Sequence, residues 1–180
     1  MKKVEALAAL QALDRRGIYV LSKGDLEKLF PDESEKALEK SLQRLVGDGI
    51  LQRVAKGVYL NNFSTIKGKR NVIEDIAVVL RRSCFSYVSL ESVLSEYGVI
   101  SQIPMRRITI MTTGAKGLYD TPYGTIEFTH TKRRPLDIIN RTIAVNNRSL
   151  RIATKQAAVQ DLIRVGRNTQ MLAKSEMSDG

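Results

Sequence analysis

The sequence predicts an α+β protein in which a helix-rich N-terminal half closes on a short hairpin and a mixed half of helices and strands follows. Three observations predict it. Apolar residues recur at helical spacing across residues 3–16 and again across 32–47. Two short β-branched runs flank Ala55-Lys56-Gly57, a connection of hairpin length. In the second half, alternation of Ile108 and Ile110 with Thr109 and Met111 suggests a half-buried strand.

In chain order, Ala6, Leu7, Ala9, Leu10 and Leu13 give a first helix its apolar face. Arg15-Arg16 and then Gly17 end it, with cations at the negative end of the dipole and glycine beyond. Residues 18–21 are a short β-branched and aromatic run. Ser22 with Asp25 three residues on makes a capping box for a second helix, which buries Leu26, Leu29 and Phe30 and stops at Pro31. Asp32 with Glu35 is the predicted cap of a third helix. Its stripe of Leu38, Leu42, Leu45 and Val46 lies opposite Lys36, Lys40, Gln43 and Gly47. Gly47-Asp48-Gly49 ends that helix, because glycine enters the left-handed region cheaply. Strands at 50–54 and 58–60 complete the hairpin.

Helix, short strand, helix, turn, helix, hairpin is the order of a winged helix-turn-helix, predicted over residues 1–62. The third helix of such a fold enters the major groove, whose width accepts a helix and whose base edges meet long donor side chains. Lys36, Lys40 and Gln43 are the candidate readers, and Arg44 lies on their flank. Arg53 and Lys56 sit on the wing, where cations meet phosphates. The bland alternative is a solvated helix face, and Glu35 and Glu39 beside it would repel phosphates.

A polar stretch at 63–70, with Lys67, Lys69 and Arg70, is the expected linker to a second domain at 71–166. There Ile73, Ile76, Ala77 and Leu80 mark a helix ending in Arg81-Arg82. A strand candidate follows at 85–88, and Ser89 opens a helix with Leu90, Val93, Leu94 and Tyr97, closed by Gly98. Strands are expected around 108–111 and 125–129 with a turn-rich loop between them, then around 143–145 and 150–152. Thr154 caps a last helix carrying Ala158, Leu162 and Val165. Residues 167–180 read as a polar, frayed tail.

Composition bounds the function. With 180 residues, 43% of them hydrophobic, the chain can bury a core. No apolar run is long enough to span a bilayer, and Met1-Lys2-Lys3 is not followed by a signal peptide's apolar block, so a cytoplasmic protein without a membrane partner is expected. Cys84 and His130 are the lone residues of their kinds, which excludes an internal disulfide and a four-ligand zinc site; no metal or cofactor is expected. The formal charge of +10 favours a polyanionic partner. Residues 1–60 carry 11 Lys/Arg against 9 Asp/Glu and residues 61–180 carry 18 against 10, so the half expected to read DNA is the less basic one.

Gly57-Val58-Tyr59-Leu60, then Tyr87-Val88-Ser89-Leu90-Glu91-Ser92-Val93-Leu94 with Tyr97-Gly98, resemble the AbiEi-like antitoxins of type IV toxin–antitoxin and phage abortive-infection modules. Ile108-Thr109, Met111-Thr112-Thr113, the run Thr121-Pro122-Tyr123-Gly124-Thr125-Ile126-Glu127-Phe128 and the Ile152-Ala153-Thr154 helix start extend the likeness across most of the chain. The resemblance implies a winged helix that represses its own operon at promoter repeats in double-stranded DNA, and an α/β antitoxin-type domain that counters a nucleotidyltransferase-like toxin. It implies a functional surface in the second domain, not a catalytic set. The net positive charge of that half fits contact with nucleic acid or an acidic partner, and Lys67, Lys69, Arg70, Arg106, Arg107, Lys132, Arg133 and Arg134 are its candidate clusters, with a solvated basic surface as the bland alternative and oligomeric state left open.

A non-enzyme is expected. No Asp-x-Asp is present for paired magnesium ions, and Gly114-Ala115-Lys116-Gly117 lacks the spacing and the Lys-Ser/Thr of a P-loop. A nuclease is the weaker alternative: Asp120 and Glu127 are near one another, but Thr129 stands where the triad lysine would, and His130 could serve as a base. A stand-alone regulator without a toxin is the remaining alternative.

Overall fold

The computed structural model describes residues 1–100 and 106–172, and it is a mixed α+β protein with two sheets. It divides into two compact units, Met1–Leu80 and Arg81–Gly180.

The first unit runs α1 (Lys3–Asp14), β1 (Val20–Ser22), α2 (Lys23–Leu29), α3 (Glu35–Gly47), β2 (Leu51–Ala55), β3 (Val58–Asn61), a 3-10 turn at Lys67–Lys69 and α4 (Val72–Leu80). Its antiparallel sheet has the order β1-β3-β2. Ser22 and Asp25 form the expected capping box at α2, each bonding the other's backbone N–H. The leucine stripe of α3 is core: Leu38, Leu42 and Leu45 pack with Ala6, Leu10, Leu21, Leu26, Ile50 and Leu51. On α1 the buried face is narrower than the sequence predicts, since Leu7 and Val4 are exposed.

Three expectations for this unit need correction. The N-cap of α3 is Ser34, not Asp32: its extended backbone turns its hydroxyl to accept the Ala37 N–H, and Glu35 is already helical. The stretch 63–70 is tied down, because the Asp14 carboxylate at the end of α1 accepts the Ser64 hydroxyl and both the N–H and hydroxyl of Thr65. The boundary between compact units falls after Leu80, because α4 packs on β1 and β3 and the buried Tyr19 hydroxyl donates to Asp75 Oδ2 at 2.6 Å.

The second unit contains β4 (Ser86–Val88), α5 (Leu90–Glu96), β5 (Arg107–Thr112), β6 (Gly117–Thr121), β7 (Gly124–His130), α6 (Pro135–Asn140), β8 (Thr142–Ile143), β9 (Arg151–Ala153) and α7 (Lys155–Val165). The strands form one sheet in the order β6-β7-β5-β4-β9-β8, with β5–β7 and β4–β9 parallel and the other pairs antiparallel. The two helices α5 and α7 pack together. They cover the sheet face that carries Tyr87 and Thr109: the hydroxyls of Tyr87 and Ser89 donate to Asp161 on α7, and the Ser92 N–H on α5 donates to Thr109. Thr154 caps α7 as its spacing predicts.

The expected turn-rich loop holds β6, and α6 appears where no element was expected. The tail is not frayed as far as Leu172. Arg167 bonds Glu91 and Glu127, Asn168 donates to Glu91 at 2.6 Å, and Leu172 is buried. Residues 173–180 of that expected tail lie outside the described residues. No described helix is long and apolar enough to cross a membrane.

Candidate nucleic-acid interface

Burial of the leucine stripe fixes the roll of α3, so the opposite side must face solvent. Lys36, Lys40, Gln43 and Arg44 are all exposed. Arg44 leans toward the chain start, where its Nη2 donates to the Met1 carbonyl at 2.8 Å. At the hairpin, Arg53 and Lys56 are exposed. Gly57 closes the turn at φ +71°, a backbone region that side chains with a Cβ rarely adopt. A register shift between Arg53 and Ala55 adds a bulge beside it.

A trough lies between α3 and the hairpin, lined by Lys23, Glu39, Gln43, Val46, Arg53, Lys56, Gly57 and Tyr59. The sequence alone gave no reason to choose Lys23. Its Nζ lies 2.9 Å from Glu35 Oε1, 2.9 Å from Glu39 Oε1 and 3.9 Å from Glu27 Oε1. Its backbone N–H donates to the Gly57 carbonyl at 2.8 Å. Hydrogen bonds donated to Glu35 and Glu39 raise the Lys23 ammonium above the ordinary lysine range, and the same contact lowers the Glu35 carboxyl. The two carboxylates that would repel phosphates from α3 are therefore held by a cation from α2.

The second set of nominated cations does not form one patch. Lys67, Lys69 and Arg70 belong to the first unit, where Arg70 Nη2 lies 3.3 Å from Asp75 Oδ1. In the second unit, β5 and β7 run parallel from Arg107↔Thr125 to Thr112↔His130. This register puts Arg106 and Arg107 at one end of the strands and Lys132, Arg133 and Arg134 beyond the other, about 17 Å away. Several are already engaged: Arg107 with Glu127, Arg133 with Asp161, and Arg134 with Asp137. Arg106 and Lys132 are exposed.

Asp161 is fully buried and accepts from Tyr87, Ser89, Arg133 and Arg141, so Arg133 is a structural partner of a core carboxylate. Burial first, and then the Asp161 charge, push the Tyr87 phenol well above its ordinary value. The nuclease candidates are also occupied. Glu127 is bonded by Arg107 and Arg167, Asp120 accepts from Thr125, and His130 Nδ1–H donates to the Gly114 carbonyl. Among the described residues no group of three or more His, Cys, Asp or Glu side chains could hold a metal ion.

No curated protein matches the chain. One family model, described as a family of unknown function (DUF6088), matches residues 10–178. That span is nearly the whole sequence, and the protein belongs to the DUF6088 family.

Proposed function

We propose that residues 1–62 act as a winged helix-turn-helix on double-stranded DNA, repressing the protein's own operon at promoter repeats. The second unit would act as an AbiEi-like antitoxin against a nucleotidyltransferase-like toxin in the cytoplasm. One observation carries the DNA reading: Lys36, Lys40 and Gln43 face solvent from a helix whose other side is core, next to a hairpin that exposes Arg53 and Lys56. A helix face with amide and ammonium donors suits base edges in the major groove, and cations on the hairpin suit phosphates. The antitoxin reading is supported by the order of the short motifs from Tyr87 to Thr154 that resemble that family.

The test is an anisotropy titration of the full chain on a duplex spanning the region upstream of its own gene. Affinity should fall steeply as salt rises, because bound cations displace condensed counterions. An affinity that is flat with salt, or no binding at low salt, overturns the DNA reading. For the antitoxin reading, co-expression with the product of the adjacent gene should yield growth rescue. If the neighbour encodes no nucleotidyltransferase-like protein, the stand-alone regulator replaces the antitoxin while the DNA reading is untouched.

A further inference from the structure

We propose that Lys23 is a charge clasp that makes the α3 face acceptable to a polyanion; the inference rests on the DNA-binding reading above. Glu35 and Glu39 stand one turn apart on α3, where like charges repel. Both are more than half exposed, and Glu39 lines the trough with Gln43, Arg53 and Lys56. Left alone, the pair would set two negative charges beside the phosphate path. The Lys23 ammonium bonds both carboxylates at 2.9 Å and holds them on the α2 side of the helix. One cation thereby offsets one of the two charges and fixes where the other lies.

Lys23 also joins the parts that must meet the duplex together. Its side chain grips α3, and its backbone N–H holds the Gly57 carbonyl in the hairpin turn. The backbone bond survives any side-chain substitution, so removing the ammonium changes the charge without releasing the turn. An exposed ion pair contributes little to folding stability, so the variants are expected to fold. Lys23 is a positioning residue in this scheme: it acts through Glu35 and Glu39.

The experiment is a double-mutant cycle in the full chain on a mixed-sequence B-form duplex at low salt, with thermal melts for each variant. Lys23→Ala should weaken binding on the order of tenfold, and in a Glu35→Gln/Glu39→Gln background only about two- to threefold. The double glutamine variant should bind at least as tightly as the unsubstituted protein. Equal losses in the two backgrounds overturn the inference and make Lys23 an ordinary phosphate contact. No binding by the unsubstituted protein overturns the DNA reading itself, which is a separate outcome. A readout free of DNA accompanies the cycle: the Glu35 carboxyl followed by NMR should titrate below its ordinary value and return to it in Lys23→Ala. A titration that does not move shows that the clasp is absent.

Discussion

Lys40 and Gln43 extend from the solvent side of α3 with no partner in the core, so their worth should appear in binding and not in folding. Lys40→Ala or Gln43→Ala is expected to cost about 1–3 kcal/mol in duplex affinity and to relax sequence preference where the side chain reads a base. A loss equal on all sequences would make it a phosphate contact. Among the carboxylates held below their ordinary range, Asp14 and Glu91 are the two that are also buried, and they make the fold sensitive to acid. Burial alone would raise Asp14 and Glu91, but Ser64 and Thr65 at the first, and Asn168 and Arg167 at the second, hold them below their ordinary 3.8 and 4.5. Because the folded values are depressed, this stability is present above the unfolded values and is lost as pH falls through the folded ones. Melting temperature should therefore drop below about pH 4, and less steeply in Glu91→Gln. Parallel acid limbs in the two proteins would remove Glu91 from the account. Glu91 had no distinguishing mark in the sequence, since its partners lie 76 and 77 residues away.

Elements with strong local signals stand where the sequence predicts them. The α2 capping box, the Gly57 turn and the Thr154 cap each depend on residues within one turn of chain, and the α3 stripe on neighbours three or four residues apart. The cap of α3 moved by two residues because Asp32 and Ser34 both suit the role and only the turn after Pro31 selects between them. Ser34→Ala should lower stability by about 1 kcal/mol, with Asp32→Ala near neutral, as read from denaturant midpoints. The strand β6 leaves no apolar alternation in the sequence, because it is an edge strand with Leu118 and Asp120 exposed. At six residues α6 is too short for helical periodicity to show. The Asp161 network joins β4, α7 and the segments around α6 through contacts that no local pattern encodes. Asp161→Asn should cost about 3 kcal/mol, because it leaves Arg133 and Arg141 without their buried counter-charge.

At the scale of the molecule, the division after Leu80 changes which piece should fold alone. A fragment of residues 1–80 keeps α4 and the Tyr19–Asp75 bond and should melt cooperatively, whereas one ending at residue 70 should lose several degrees or fail to fold. Equal melting of the two would return the boundary to 63–70. The sequence by itself determined the α+β class, the order of elements in the first unit and which side of α3 is core, because helical periodicity and capping are local and read from neighbours in the chain. Only the tertiary structure decided that Lys23 restrains Glu35 and Glu39, that Arg133 serves a buried carboxylate, and that the two cation clusters of the second unit lie at opposite strand ends. Those facts depend on strand register and helix packing, which bring together residues that share no spacing along the chain.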